Sequence, residues 1–244
     1  MTTPPGALWQ HTIKMMTLKI PQVSKLLLAL LFAIISIAAY PQEKSATALN
    51  SLQTLESFVK NTKSGRATFT QVVTSPAKDG QAPKIKTSSG TFEFLRPNRF
   101  KFLYKKPFEQ AIVSDSQTLW LHDVDLNQVT ARKLAEVLNG TPAAVISSAA
   151  DLKGLQADFV LTALPEKSGV QWVQAVPKTK DGQLQSISIG MKATDKGTEL
   201  ASLQILDSFG QLSVMIFSEF EINPALTGAS FQFKPPPGAD VSKQ

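Results

Sequence analysis

Hydrophobic and polar side chains alternate with a period of two along most of the chain beyond Gly65. Between residues 99 and 105, Phe100, Phe102 and Tyr104 alternate with charged residues, which is typical of a half-exposed antiparallel strand. Short turn signals rich in Gly, Asp, Ser and Pro separate segments of this kind. The pattern predicts strands over residues 66–74, 86–95, 99–104, 110–114, 118–123, 126–130, 158–164, 170–176, 184–191, 199–207, 211–217 and 230–234.

Two segments depart from this period. Residues 45–61 carry apolar side chains at helical spacing on one face, which predicts an amphipathic helix. Those side chains are Leu49, Leu52, Leu55, Phe58 and Val59. Thr141-Pro142 is a helix-start signal and predicts a short helix over residues 143–147.

Many strands and few helices predict a mainly β fold with α elements. We expect an incomplete, unclosed antiparallel β-barrel covered by an α-helical lid, because a sheet with two apolar-capable faces must curl or be covered. An apolar cavity is expected between the sheet and the lid, suited to an apolar ligand. Leu52, Leu55 and Phe58 are the candidate ligand-facing residues of the lid helix.

The N-terminus has the features of a secretory signal, in which lysines precede an apolar run and a small-residue cleavage site. The lysines are Lys14, Lys19 and Lys25, the run spans residues 26–35, and the site is Ser36-Ile37-Ala38. A membrane anchor is the alternative, but the run as far as Ala39 has 14 residues, and a bilayer span needs about 20. We expect residues 1–38 to be a cleaved signal peptide with an atypical N-terminal extension, and residues 39–244 to form a single domain.

Composition removes most routes to catalysis. The chain has no cysteine, which excludes disulfides, thiolate chemistry, cysteine-ligated zinc and lipidation of an N-terminal cysteine. Loss of residues 1–38 lowers the net charge from +6 to +3 and leaves His122 as the sole histidine. Nucleic-acid binding loses its main support, because it needs a clustered basic face. Asp115, Asp123 and Asp125 are the candidates for a catalytic pair of carboxylates, but turns explain these aspartates better. We expect no enzyme activity, no metal and no cofactor.

The segment 91–130 combines apolar strands with one arginine at the corner of a hairpin. Its candidate ligand-binding side chains are Phe92, Phe94, Phe100, Phe102, Trp120 and Leu121. Trp120 and Leu121 are neighbours on one strand and face opposite sides, and the sequence leaves open which lies inside. Arg96 could donate up to five hydrogen bonds to carbonyl groups of a facing helix or loop, or could be a solvated hairpin arginine.

The order of motifs resembles the outer-membrane lipoprotein carrier family LolA of Gram-negative bacteria. The resemblance covers essentially all of residues 39–244, and its most specific parts are RPNRF and the SD-x-x-TLW segment. The matching segments are the amphipathic helix, RPNRF at 96–100, Tyr104 and Pro107, SDSQTLWLHDVDLNQVT at 114–130, NGTPAAVIS at 139–147, DFVLT at 158–162 and FQFKPPPGADV at 231–241.

The resemblance implies a monomeric periplasmic lipoprotein-carrier domain that binds acylated lipoproteins without catalysis. Its implied partners are an inner-membrane ABC-type transporter that releases lipoproteins and an outer-membrane receptor that accepts them. The family's lid arginine corresponds to Arg96, which would hold the empty form closed by bonding to the helical lid. The phenylalanine implicated in handover corresponds to Phe100. The chain departs from the family pattern at Ser116, where glycine is usual, and at Phe102, where tryptophan is common.

The sequence leaves three alternatives to the carrier function. An acceptor lipoprotein of the same fold would need a cysteine to acylate. A periplasmic protein of the same fold that senses lipids or lipoproteins would be expected to carry a second domain, for which the 206 residues from 39 to 244 leave little room. A lipid-ester hydrolase would reveal itself by activity of the purified protein.

Overall fold

A computed structural model describes residues 42–77, 80–137, 146–147, 151–179 and 182–244, with side chains from Asn50 onward. The predicted signal peptide and most of the predicted helix over 143–147 lie outside these residues. The described helices are α1 (Gln42–Asn61), α2 (Leu134–Val137) and α3 (Leu152–Asp158), with a 3-10 helix at Gly228–Phe231. The strands are β1 (Ser64–Ser75), β2 (Lys84–Leu95), β3 (Arg99–Lys106), β4 (Gln110–Asp115), β5 (Thr118–Asp123), β6 (Gln128–Lys133), β7 (Phe159–Lys167), β8 (Val170–Pro177), β9 (Leu184–Thr194), β10 (Gly197–Asp207), β11 (Leu212–Ile222) and β12 (Asp240–Lys243).

All the described strands belong to one sheet with the order β12-β6-β5-β4-β3-β2-β1-β11-β10-β9-β8-β7. Neighbouring strands are antiparallel except β12, which runs parallel to β6. The edge strands β7 and β12 are not paired with each other in the described chain, so the sheet is unclosed. This confirms the predicted fold class, which is mainly β, unclosed and poor in helices.

The main hydrophobic core lies between the sheet and α1. The face of the sheet toward α1, here called the inner face, supplies Phe69, Phe92, Val173, Ile189 and Leu203, all buried. Leu55, Phe58 and Val59 of α1 are also buried in this cluster, and Leu52 packs against it from a partly exposed position. The helical spacing of these side chains therefore gives α1 one buried face, as the sequence predicts.

The C-terminal segment covers the opposite, outer face of β3–β6. Residues 230–234 were predicted to be a strand, and this is wrong: the chain forms the 3-10 helix, continues past Pro235–Pro237 and ends in β12. Phe231 is fully buried, and the ring of Phe233 lies 5.5 Å from that of Trp120. The spacing of Phe231 and Phe233 imitates a strand, but these rings are anchors for an irregular segment, and the following prolines lack the N–H donors of a ladder.

The short helices α2 and α3 were not predicted from the hydrophobic period. The helix α3 has only Leu155 fully buried, so it carries little hydrophobic pattern. Its start could have been found from Asp151, whose carboxylate accepts a hydrogen bond from the Gly154 amide as an N-cap.

Candidate functional site

Strand alternation places a row of phenylalanines on the inner face. Phe92 pairs with Phe102 across β2 and β3, and Phe94 pairs with Phe100. Because successive residues of a strand point to opposite faces, all four rings lie on the same side as α1. The charged partners Glu93 and Lys101 lie on the outer face.

The phenylalanine rings pack against one another. The centroids of Phe92 and Phe102 are 4.4 Å apart and nearly stacked, and those of Phe92 and Phe94 are 5.7 Å apart. Phe92, Phe94 and Phe100 are each at most 4% exposed. Part of the expected apolar cavity is therefore filled by the protein's own rings, and a ligand must separate them to enter.

The helix α1 crosses this row at its C-terminal end. The ring centroid of Phe58 is 6.1 Å from that of Phe94. The guanidinium carbon of Arg96 lies 5.3 Å from the centroids of both rings, a distance at which a cation is attracted to an aromatic face. Arg96 is therefore sandwiched between the helix and the sheet.

Arg96 also contacts the end of α1 by hydrogen bonding. Its side-chain Nε donates to the carbonyl oxygen of Thr62 at 2.9 Å, and its backbone N–H donates to Lys63 at 2.8 Å. Burial lowers the pKa of Arg96 to about 10, which leaves the guanidinium charged at neutral pH. A cation beside the last carbonyl groups of a helix is also favoured by the helix dipole.

The other polar contacts of α1 and of the residue after it lead to the far half of the sheet. The Ser51 hydroxyl donates to Gln171 on β8 at 2.8 Å, and the hydroxyl of Thr62, directly after the helix, donates to the Thr198 carbonyl on β10 at 3.4 Å. Gln171 in turn donates to the carboxylate of Glu166 on β7. The helix is thus bound by several polar contacts to β7–β10, and it reaches β2 and β3 through the Arg96 region.

One asparagine fixes the junction between α1 and β1. The Asn223 side chain accepts hydrogen bonds from the amides of Lys63 and Ser64, at 2.7 and 3.2 Å, and donates to the Asn61 carbonyl at 3.0 Å. Its backbone φ is +53°, in the left-handed region that Asn tolerates better than most residues. Asn223 was not among the predicted site residues; the Asn-Pro pair at the end of a strand is the sequence signal that could have found it.

The structure separates Trp120 from the other candidate ligand-binding residues. Leu121 pairs with Ile112 on the inner face, whereas Trp120 points to the outer face. There the Trp120 indole N–H donates to Asp115 at 3.4 Å, and its ring contacts Phe233. Since strand alternation allows only one of two neighbours to face inward, we retain Leu121 as a ligand-binding candidate and assign Trp120 to the cover of the outer face.

A row of polar side chains lies beyond the phenylalanines on the inner face, away from the Arg96 corner. Gln71 pairs with Ser88 across β1 and β2, and Tyr104, Gln110 and Asp123 pair in sequence across β3–β5. We call these five residues the polar row. They line a cavity of about 460 Å³, a size typical of small-ligand sites.

Gly90 sets the position of Tyr104 in this row. It lies between Phe69 on β1 and Tyr104 on β3, and its lack of a side chain lets those two rings meet at 5.0 Å. A Cβ at Gly90 would overlap the backbone carbonyl of Leu103. The phenol ring therefore belongs to the aromatic cluster at one edge and to the polar cavity at the other, and burial raises the pKa of Tyr104 to about 12.

Other kinds of site find no support in the part of the chain that the structure describes. The turn at Asp115 is built as its sequence indicates, with one carboxylate oxygen accepting from Gln117 and Thr118. Among residues 42–244 outside the gaps, no three His, Asp or Glu side chains come together to hold a metal. A search of the same described residues finds no helix with the length and hydropathy to cross a membrane.

Comparison with known proteins gives concordant matches. The model of the family described as outer membrane lipoprotein carrier protein LolA matches residues 60–234. An outer-membrane lipoprotein carrier protein of Albidiferax ferrireducens is 65% identical over 213 residues, covering 87% of this chain and 99% of that protein. One from Methylibium petroleiphilum is 49% identical over 208 residues, covering 85% of this chain and 97% of that protein.

Among solved structures, a LolA superfamily protein from Nitrosomonas europaea aligns with a TM-score of 0.43 at 13% identity, covering 76% of this chain and 97% of that chain. The extent of the family match and the identity to the two carrier proteins decide the assignment. The chain belongs to the outer membrane lipoprotein carrier protein LolA family.

Proposed function

We propose that this protein is a periplasmic chaperone that binds the acyl chains of lipoproteins on its inner face and carries them between membranes. In this proposal an inner-membrane ABC-type transporter supplies the lipoprotein and an outer-membrane receptor accepts it. The protein performs no catalysis. The observation that carries the proposal is a buried phenylalanine row closed by a helix that Arg96 links to the sheet.

The energetics of acyl-chain burial favour a closed, self-packed interior. Burying a methylene is worth about 0.8 kcal/mol, so three acyl chains with roughly 45 methylenes would gain about 36 kcal/mol. Non-covalent affinities reach at most about 18–21 kcal/mol, and a carrier must also release its cargo. Ring–ring contacts such as Phe92–Phe102, which acyl chains must displace, lower the net gain.

Arg96 makes a second, smaller contribution that opposes the binding of acyl chains. The hydrogen bond to Thr62 and the contact with Phe58 are lost if α1 moves away from β2, whereas Phe94 lies on β2 beside Arg96 and moves with it. Each of the two lost contacts is worth on the order of 1 kcal/mol, so together they favour the closed, empty form without preventing opening. Phe100 pairs with Phe94, which contacts Arg96. A role of Phe100 in handing the lipoprotein to the receptor is part of the proposal.

The primary test is capture of cargo. The purified chain is mixed with membranes that release lipoproteins, and the bound species is identified by mass spectrometry. We expect a complex held through the acylated N-terminus of the lipoprotein. Capture of non-acylated and acylated forms with equal efficiency would contradict the proposal.

Arg96→Leu tests the closing contact. We expect this variant to load lipoprotein and to transfer it poorly to the receptor, because the closed form no longer competes with the loaded form. Arg96→Lys keeps the charge and loses the planar fork, so its transfer should be intermediate. Lys192→Leu, at an exposed cation on the outer face of β9, is the matched control and should transfer normally. Normal transfer by Arg96→Leu would rule out the role of Arg96 in closing.

A further inference from the structure

The inner face changes character along its strands in a way that the acyl chains alone do not explain. Near the Arg96 corner it presents rings such as Phe92 and Phe102, and further along it presents the polar row. The cavity at the polar row opens to solvent beside Phe108 and Leu126, which are 62% and 64% exposed. A ligand that enters here therefore meets first an apolar rim, then hydrogen-bonding groups, and finally the aromatic interior.

The polar row carries donors that the protein itself leaves available. In the described residues, the Tyr104 hydroxyl, the Ser88 hydroxyl and the Gln110 amide make no side-chain hydrogen bond, although all three line the cavity. The Gln71 amide is already committed to Ser213 at 2.7 Å. The row thus offers two hydroxyl donors and one amide donor group at the boundary of an apolar interior.

An acylated lipoprotein N-terminus has the complementary order of groups. Its hydrocarbon tails end in ester carbonyls and an amide carbonyl, which accept hydrogen bonds, and the peptide follows them. With the tails among the phenylalanines, the linkage carbonyls reach the level of the polar row. An ester carbonyl buried without a donor would cost free energy, so a carrier gains from meeting it with one.

We propose that, within the polar row, Tyr104 and Ser88 bind the ester carbonyls and Gln110 binds the amide carbonyl that join the acyl chains to the lipoprotein N-terminus. The proposal rests on the proposed carrier function and adds a site for the acyl linkage to it. Asp123 has one carboxylate oxygen engaged by the Leu126 amide at 3.1 Å, and its other oxygen can accept the N–H of the linking amide. The phenol of Tyr104 is a protonated donor at neutral pH, as an ordinary tyrosine is, and burial raises its pKa further.

The test compares a synthetic triacylated lipopeptide with its analogue in which both ester-linked chains are alkyl ethers. Ether oxygens are much weaker acceptors than carbonyls, while the apolar tails are the same. We expect the wild-type protein to bind the ester lipopeptide at least tenfold more tightly. Tyr104→Phe and Ser88→Ala should each weaken ester binding by about fivefold and leave ether binding unchanged, since each removes one hydrogen bond.

Two controls separate binding from folding. Ser89→Ala alters the neighbouring residue of β2, which points to the outer face, and should bind both ligands as the wild type does. Tyr104→Phe should unfold at the wild-type urea concentration, because its hydroxyl has no partner in the described structure. Equal ester and ether binding by the wild type, or equal weakening of both ligands by Tyr104→Phe, would overturn the proposal.

The same carbonyls occur in membrane phospholipids, so a third ligand identifies the source. Phosphatidylethanolamine, presented below its vesicle-forming concentration, should bind at least tenfold more weakly than the ester lipopeptide. Equal affinity with equal dependence on Tyr104 would overturn the assignment to lipoproteins. If the wild type binds neither lipopeptide, the carrier function itself fails, which is distinct from failure of the polar row.

Discussion

The two faces of β2–β6 both bury aromatic side chains, but they are closed in different ways. On the inner face, α1 makes its polar contacts mainly with β7–β10 and reaches β2 and β3 through Arg96, Phe58 and Phe94. On the outer face, the C-terminal segment buries Phe231 and then joins the sheet as β12. A cover attached mainly to one half of a sheet can separate from the other half, whereas a cover that continues the sheet cannot do so without breaking a ladder.

Charge follows the same division. On the outer face, Glu93 contacts Arg66 and Lys101, each at 2.7 Å, and Lys101 also donates to the Ser230 carbonyl at 3.1 Å. These bonds tie the C-terminal segment to β2 and β3. On the inner face, the described phenylalanine row has one cation, Arg96, held by a carbonyl and two rings. We infer that the outer face supplies fixed stability and that the inner face supplies the movable part.

The largest expected effect on stability comes from removing a buried ring of the C-terminal segment, which covers the outer face. Phe231→Ala removes a fully buried ring and should lower the free energy of unfolding by about 3–5 kcal/mol, measured by urea denaturation. Lipopeptide affinity, measured where the variant is still folded, should stay within twofold of the wild-type value. Phe209→Ala is the matched control, because Phe209 is 69% exposed, and should change stability by less than about 0.5 kcal/mol. Lost lipopeptide binding by folded Phe231→Ala would contradict the separation of the two faces.

A smaller effect is expected from the ion pairs, and it depends on pH. Burial of Glu93 opposes its ionisation, but hydrogen bonds from Lys101 and Arg66 outweigh burial and hold its pKa below the ordinary 4.5. The native state therefore gains stability from this carboxylate above about pH 4.5, and loses it as the pH falls through the lowered pKa. Glu93→Gln should cost about 1–3 kcal/mol at pH 7 and progressively less between about pH 4 and pH 2.

The control for this titration is Glu56→Gln, at an exposed position on α1, which should alter stability by less than about 0.5 kcal/mol at any of these pH values. A cost of Glu93→Gln that stays constant down to pH 2 would show that the carboxylate charge is not what stabilises the outer face. Arg96, with a pKa of about 10, keeps its charge throughout this range, so acid should weaken the outer face selectively.

The two covered faces also explain which side-chain orientations can be predicted from the sequence and which cannot. Alternation along β2 and β3 was sufficient to put Phe92, Phe94, Phe100 and Phe102 on one face, because the period is local. It could not choose between Trp120 and Leu121, because both faces of β5 are covered and each needs an apolar side chain. That choice depends on Phe233, which lies more than 100 residues away in the sequence.

The polar row shows a second limit of the same kind. Ser88 and Gln110 were not singled out, because a polar residue on a strand is normally expected to face solvent. Their inward orientation follows from the same alternation that orients Phe92 and Phe102, once the register is extended toward the open end of the strands. The misassigned strand over 230–234 has the opposite cause, since its local alternation is overridden by packing on the outer face.

The smallest expected effect lies at a turn that belongs to neither cover. Ser116 has a φ of +87°, in the region that favours glycine, and the resemblance to the LolA family places glycine there as the usual residue. Ser116→Gly should raise the free energy of unfolding by about 0.5–1 kcal/mol, because relief of strain exceeds the added flexibility of the unfolded chain. Ser186→Gly, in the interior of β9, should lower it by a similar amount. Both variants should keep the lipopeptide affinity of the wild type, measured by titration. A gain in stability at Ser116 that lowers the affinity would mean that this turn restrains the inner face, and that the two covers are coupled through the edge of the sheet.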